Sequence, residues 1–322
     1  MPTTRRTLLG AALLPLVARG AAAQSWPNRP ITIVVPFAAG SSTDVVGRQA
    51  ARAMSEALEQ QVVVENRTGA SGIIGAQAVA HARPDGYTLL IVTNSTHAAN
   101  KTLFRNLPYD PVADFVPISN LATGPLILLS HPALPIRSAQ ELVAYGRANP
   151  GKLSYGYSGS SSQIAAVMVT NGGQFDAVGV QYRSIPPAVT DLLGGQISFT
   201  FADPSNALQH IRSGRAIGLG VTSAQRTPLA PDVPTLTEAG LPGFDLVPWQ
   251  GIAAPAGTDP AIIHRIFDAL RARYDTPQVR QSYAALGFEV NLSASPEAYG
   301  DFIRSETTRW GDLVRLAGIE PQ

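Results

Sequence analysis

From Pro30 onward, short apolar runs alternate with longer stretches whose apolar positions recur at helical spacing. Ile31-Thr32-Ile33-Val34-Val35 reads as a buried strand, 43–58 as a helix, and Val62-Val63-Val64 as the next strand. A second helix over 72–82 stops at the Pro84-Asp85-Gly86 turn, and Tyr87 to Val92 forms a third strand. A passage containing Pro108, Pro111 and Pro117 breaks this rhythm. The alternation then resumes. Strands are predicted at 126–129, 153–157, 177–182, 197–202 and 216–221, with helices at 138–148, 161–172, 186–193 and 205–212 between them. Residues 250–254 return as a strand. Thr258-Asp259-Pro260 and Thr276-Pro277 each place a cap before a first-turn proline, and a last helix runs over about 296–316.

This order predicts an α/β protein. The first β-α-β-α-β series implies a parallel sheet with right-handed crossovers and helices on both faces. The second series implies a second α/β unit. A helix-rich C-terminal part follows; its return to the first unit, with crossings near 121–127 and 245–251, is what the family resemblance given below implies. Two lobes joined by such a pair of connections would enclose a cleft suited to a ligand.

Composition narrows the chemistry. The chain of 322 residues is 45% hydrophobic and 15% charged, enough to build full cores. Its net charge of +1 gives no electrostatic case for binding nucleic acid or an anionic membrane. With no cysteine, thiolate metal sites, cysteine nucleophiles and disulfides are excluded. His81, His97, His131, His210 and His264 are scattered, which argues against a histidine metal cluster.

The first 23 residues read as an export signal. Arg5 and Arg6 precede an apolar segment over 7–18, shorter than the ~20 residues of a membrane span. Ala21-Ala22-Ala23 then offers a cleavage site before Gln24. The string Thr4-Arg5-Arg6-Thr7-Leu8-Leu9 resembles a twin-arginine signal, although Sec signals also carry paired arginines. Removal takes three arginines and no acid, leaving 21 basic against 23 acidic groups. The sequence therefore predicts a periplasmic protein with no stable membrane insertion.

Enzyme signatures fail. Gly156-Tyr157-Ser158-Gly159-Ser160 lacks the final glycine of a nucleophile elbow, and no P-loop, dinucleotide fingerprint or H-E-x-x-H string occurs. A serine nucleophile within 158–162 would need a base, and no His or Lys is near in sequence. Two strand-to-helix loops stand out instead: Pro36 to Asp44, and Tyr157 to Gln163. Each would present hydroxyls and free backbone N–H groups at a helix N-terminus, which is an anion site in physical terms. Ser41 to Asp44 and Ser160 to Ser162 can equally be ordinary N-caps. Asn94, Thr96 and His97 follow a strand's C-terminal end, where α/β sheets place ligands.

A series of strings resembles the periplasmic substrate-binding receptors of the tripartite tricarboxylate transporters, the Bug proteins. They include Ile33-Val34-Val35-Pro36-Phe37 with Asp44 downstream, Val62-Val63-Val64-Glu65-Asn66-Arg67, and Pro84-Asp85-Gly86-Tyr87-Thr88-Leu89. Leu107-Pro108-Tyr109-Asp110-Pro111, Pro150-Gly151-Lys152-Leu153-Ser154-Tyr155-Gly156, Asp191-Leu192-Leu193-Gly194-Gly195-Gln196 and Trp249-Gln250-Gly251 continue the match in order. The resemblance implies a type II periplasmic binding protein, each lobe a mostly parallel sheet flanked by helices, on a two-stranded hinge. Lobe 1 would comprise 24–122 and 248–322, and lobe 2 would comprise 123–247. It further implies a monomer that uses no catalysis and no cofactor or metal. Such a receptor binds a small carboxylate (a di- or tricarboxylate, acidic amino acid or aromatic acid) and meets membrane transporter subunits.

Carried over by position, the ligand site would comprise Phe37, Ala39, Gly40, Ser41 and Asp44 from the first loop. Ser158, Gly159, Ser160 and Ser161 come from the second. Asn94 and Asp203 complete the set, with Asp203 open to the reading of a helix cap before Pro204. The chain departs from the family pattern at Ala39-Gly40-Ser41, Tyr157, Gln163-Ile164 and Arg183-Ser184, so the chemistry at the ligand's other end does not carry over. Trp249 is open between walling the cleft and packing in the core. Presentation to a sensor kinase and serine hydrolysis stand as alternative outputs.

Overall fold

The computed structural model describes residues 26–322, so the predicted export segment lies outside the described residues. The chain first lays down β1 (Ile31–Val35), β2 (Val62–Asn66), β3 (Thr88–Thr93) and β4 (Phe115–Thr123). It then builds β5 (Ile127–Ser130), β6 (Leu153–Tyr157), β7 (Ala177–Gln181), β8 (Phe199–Ala202) and β9 (Ile217–Val221). It returns through β10 (Trp249–Pro255) and ends its strands with β11 (Glu289–Val290). The first sheet has the order β11-β4-β10-β3-β1-β2, and the second β7-β6-β8-β5-β9. Two helix-flanked sheets of this kind make a two-lobed α/β protein.

Local chemistry accounts for most elements. β1, β2 and β3 are parallel, as the crossover pattern requires. β6 is likewise parallel to β7 and β8. Each sheet also takes in strands that run against this set, β10 and β11 in the first and β5 in the second, while β4 and β9 run with it. The helices are α1 (Ser42–Leu58), α2 (Ile73–Ala80), α3 (Asn100–Leu103), α4 (Ala139–Ala148), α5 (Ser160–Gly173), α6 (Ile185–Leu193) and α7 (Pro204–Arg212). After β10 come α8 (Pro260–Arg273), α9 (Pro277–Leu286) and α10 (Pro296–Leu316). Asp259, Thr276 and Ser295 each cap their helix with a side-chain acceptor, just ahead of a first-turn proline.

Several elements, among them α3 and β11, were not predicted, and two of these bear on the site's surroundings. β4 contains Pro117, which reads locally as a breaker. It is tolerated because β11 borders β4 only at Ala122 and Thr123, and the pairing with β10 shifts register between Ile252 and Ala253, opposite Pro117. Residues Ser95–Ala99 form a π-helical turn that leads into α3. That turn is held from outside itself: Tyr109 Oη donates to the Thr96 carbonyl at 2.8 Å, and Thr307 Oγ1 to the His97 carbonyl at 3.0 Å.

The chain passes between the sheets after Thr123 and again before Trp249, and hydrogen bonds tie the two passages together. Gly124 N donates to the Pro248 carbonyl at 3.2 Å, and Thr222 Oγ1 to the Leu246 carbonyl at 2.6 Å. α10 closes the arrangement from below. Glu306 on α10 accepts from the indoles of Trp249 and Trp310, at 2.7 and 2.8 Å, on one carboxylate oxygen. Trp249 is thus a buried core residue whose polar edge is satisfied. Asn171 of α5 donates to the Ala317 carbonyl at 2.7 Å, so the end of α10 also holds the second lobe. Among the described residues no helix is long and apolar enough to cross a membrane.

Candidate functional site

The C-terminal ends of β1, β3, β6, β7 and β8 point toward one cavity between the sheets. Its volume is about 70 Å3, room for roughly five waters at 10–15 Å3 each. Its lining includes Phe37 after β1, Asn94 and Ser95 after β3, Ser158 and Gly159 after β6, and Asp203 after β8. Strand ends are where an α/β sheet releases its chain into loops, so side chains from distant sequence converge there.

The first loop ends in α1. Ser41 is the N-cap, and its hydroxyl accepts from Asp44 N at 3.3 Å. The amides of Ser42 and Thr43 fall in the first turn, where a helix supplies no internal acceptor, and both residues line the cavity. Asp44 serves the loop itself. Its carboxylate accepts from Gly40 N at 3.0 Å, Arg48 Nε at 2.9 Å and Asn66 Nδ2 at 2.9 Å. Burial alone would raise its pKa, but these bonds outweigh burial and hold it below the usual carboxylate range. Gly40, at φ +80°, makes the turn with open space around it.

The second loop ends in α5. Gly159 is its N-cap and lacks a side chain to satisfy the helix end. Ser162 Oγ accepts from Ser158 N and donates to the Gly159 carbonyl, both at 3.2 Å. Ser160 turns away to the π-turn, where its hydroxyl meets Ser95 Oγ at 2.8 Å. The amides of Ser161 and Ser162 are again first-turn donors beside the cavity. Two helix N-termini, one from each lobe, therefore face a shared space. No lysine, arginine or histidine lines it among the described residues.

Contacts across the cleft draw the loops together. Asn94 Nδ2 donates to Ser161 Oγ at 2.8 Å and to Ser160 Oγ at 3.4 Å. Gln181 Nε2 reaches Ser71 Oγ at 3.5 Å.

Of the residues singled out in the sequence, Phe37, Ser41, Asn94, Ser158, Gly159, Ser161 and Asp203 line the cavity. Ala39 and Gly40 are exposed, Asp44 supports the loop, and Ser160 is buried against Ser95; none of these four is part of the lining. Thr96 is bonded to Thr93, and His97 is wholly buried behind the turn. The sequence marked Ser184 as a departure from the family pattern and did not single out Leu126, Ile185, Pro248 or Gln250, all of which line the cavity. Ser184 could have been found as the strand-to-helix residue before α6; nothing local marks Gln250.

Asp203 resolves a choice that the sequence left open. It stands at the N-cap of α7, yet its side chain makes no capping bond. The carboxylate accepts instead from Asn206 Nδ2 at 3.2 Å and from the Ser42 side chain on the other lobe. Burial raises its pKa, and those two bonds offset the effect only in part.

A two-lobed fold with a closed, donor-rich interlobe cleft defines a periplasmic binding protein. The model of the tripartite tricarboxylate transporter family receptor, TctC, matches residues 46–319, and the chain belongs to that family. A UPF0065 protein from the tcbD-tcbE intergenic region of Pseudomonas sp. strain P51 is 37% identical over 316 residues, covering 96% of this chain and 93% of its own. Protein BugT of Bordetella pertussis is 36% identical over 309 residues, covering 94% of each. Among solved structures, R. palustris Rpa4515 with adipate superposes with a TM-score of 0.88 at 32% identity, over 92% of this chain and 100% of that one. MatC from Rhodopseudomonas palustris with bound malate gives 0.85 at 34% identity, over 90% and 100%. The periplasmic binding protein BugD gives 0.87 at 34%, over 92% and 100%.

Proposed function

We propose that this receptor captures a small carboxylate in the interlobe cleft and delivers it to a tripartite tricarboxylate-type membrane transporter. Residues 24–122 with 248–322 act as one lobe and 123–247 as the other. The protein works as a monomer in the periplasm after loss of residues 1–23. One observation carries the reading: the N-termini of α1 and α5 face one small cavity lined by hydroxyls and no cation. Such an arrangement receives negative charge through backbone donors and the positive ends of two helix dipoles. The adipate and malate held by related structures are carboxylates of the size class this predicts.

Charge-assisted bonds contribute roughly 1.5–3 kcal/mol each. Three or four of them, less ordering costs, fit a Kd near ~1 μM. Hydrolysis finds no support in the serine loop. The hydroxyls of Ser160, Ser161 and Ser162 meet Ser95, Asn94 and backbone groups, none of which accepts a proton as a general base. A thermal-shift screen of carboxylic acids on the purified protein, with the matching amides as controls, tests the reading. Stabilisation by acids and not by their amides is expected; equal stabilisation by both would overturn it.

A further inference from the structure

The cavity has two different walls. The donor wall is the pair of helix N-termini described above. Beside the α1 end of that wall, both against Ser42, stand two acceptors that lack adequate donors. Asp203 is 9% exposed and accepts from Ser42, Asn206 and its own backbone amide, with no cationic side chain among its partners. Gln250 is 6% exposed; its Nε2 donates to Ser42 Oγ at 3.4 Å, which leaves its Oε1 buried with no hydrogen-bond partner. Both residues line the cavity, and both converge on Ser42. The Ser42 hydroxyl accepts from Gln250 and gives its one proton to Asp203, so it supplies nothing to Gln250 Oε1. A buried carboxylate and a buried amide oxygen without donors are each costly. Asp203 could have lowered that cost by capping α7, and it does not.

Resting on the carboxylate reading above, we infer that Asp203 and Gln250 form an acceptor pair that selects carboxylates carrying a hydrogen-bond donor, a hydroxyl or an ammonium group, on the carbon chain. The ligand's carboxylate takes the amides of α1 and α5. Its substituent supplies the donor that Asp203 and Gln250 lack. An unsubstituted acid leaves both acceptors unpaired and presents nothing to the Asp203 carboxylate. A site built to receive a donor discriminates strongly against the analogue without it.

Calorimetry on the purified protein tests this with matched triplets of three chain lengths. They are propionate, lactate and alanine; succinate, malate and aspartate; and glutarate, 2-hydroxyglutarate and glutamate. In the triplet that binds most tightly, a substituted acid should exceed the unsubstituted one by at least about tenfold. Preference for the ammonium or the hydroxyl member then identifies which donor is read. Asp203→Asn keeps the side-chain volume and should shrink that ratio to about threefold or less, with tighter binding of the unsubstituted acid, because the opposing carboxylate is gone. Gln250→Leu should shrink it in the same direction. The inference is overturned if the unsubstituted acid binds best to the wild type, or if the ratio survives Asp203→Asn in a variant with wild-type circular dichroism. Binding of none of the nine acids would overturn this inference, and failure of the wider acid screen above would overturn the carboxylate reading itself.

Discussion

Asn94, at the end of β3 in one lobe, donates through Nδ2 to Ser161 Oγ, at the start of α5 in the other, across 2.8 Å. Both residues also line the cavity. The bond therefore joins the lobes at the point where a ligand would join them. A side chain in that position helps to hold the cleft shut and sets the separation of the two helix N-termini.

Asn94→Ala should loosen that latch. Binding of a cognate acid should weaken by about fivefold, the equivalent of ~1 kcal/mol for one neutral hydrogen bond. Small-angle scattering of the ligand-free variant should give a larger radius of gyration than the wild type. An unchanged radius together with unchanged affinity would show that Asn94 takes no part in closure.

Gly159 has an extended backbone, φ −151°, so its conformation suits any residue. Its lack of a side chain matters for space. A Cβ there would lie 3.1 Å from Ser95 Oγ and 3.5 Å from the Phe37 ring, both on the facing lobe. Gly159→Ala should weaken binding modestly, by about fivefold. Gly159→Val adds two methyl groups at that contact and should cost at least about a hundredfold, or ~3 kcal/mol. Calorimetry gives the affinities, and thermal unfolding should show both variants folded. Wild-type affinity in the valine variant would refute the closed geometry of the two loops.

Glu306 satisfies two indoles and, through its other oxygen, Arg309 at 3.2 Å. Arg309 in turn donates to the Asp245 carbonyl at 2.6 Å, on the passage back to β10. Glu306→Ala leaves two buried N–H groups without acceptors and should cost about 3 kcal/mol or more in urea unfolding. Glu306→Gln retains an acceptor oxygen and should cost about 1 kcal/mol. Equal losses in the two variants would mean that the indole bonds are not what the carboxylate contributes.

His97 is wholly buried, and burial pushes its pKa down from 6.5 to about 3. Its Nδ1 lies 3.0 Å from Thr96 Oγ1, its ring packs on Phe115 at 4.6 Å, and Nε2 has no partner. Arg304 lines the same small cavity. The folded state holds the ring neutral while the unfolded chain binds a proton below pH 6.5. The contribution of neutral His97 is therefore fully present above about pH 6.5 and is lost progressively as pH falls toward 3, on the order of a few kcal/mol in total. Urea midpoints between pH 7 and 4 should fall more steeply for the wild type than for His97→Gln. Parallel slopes would remove His97 as a source of acid sensitivity.

Elements set by local chemistry were legible in the sequence. Asp259-Pro260, Thr276-Pro277 and Ser295-Pro296 announce α8, α9 and α10, because a cap and a first-turn proline act over a few residues. β1 is apolar enough to be read as a buried strand on its own. β4 was not legible, since Pro117 breaks the local pattern and only the neighbouring β10 and β11 show that its missing donor does no harm there. The Ser95–Ala99 turn and the two-residue β11 were missed for the same reason. Each exists through bonds to partners far along the chain.

At the site, the sequence by itself determined the donor wall. Two glycine- and serine-rich loops, each leading from a strand into a helix, must present first-turn amides wherever they are placed, because a helix cannot satisfy its own N-terminus. The acceptor wall was decided by tertiary structure alone. Asp203 before Pro204 has the local signature of a cap, and Gln250 that of an ordinary strand residue. In place of an α7 amide, the Asp203 carboxylate meets Asn206 and the Ser42 side chain of the other lobe, which Gln250 also holds. A capping bond contributes only ~1 kcal/mol, so a competing donor across the cleft is enough to redirect the side chain, and no pattern along the chain records where that donor will be.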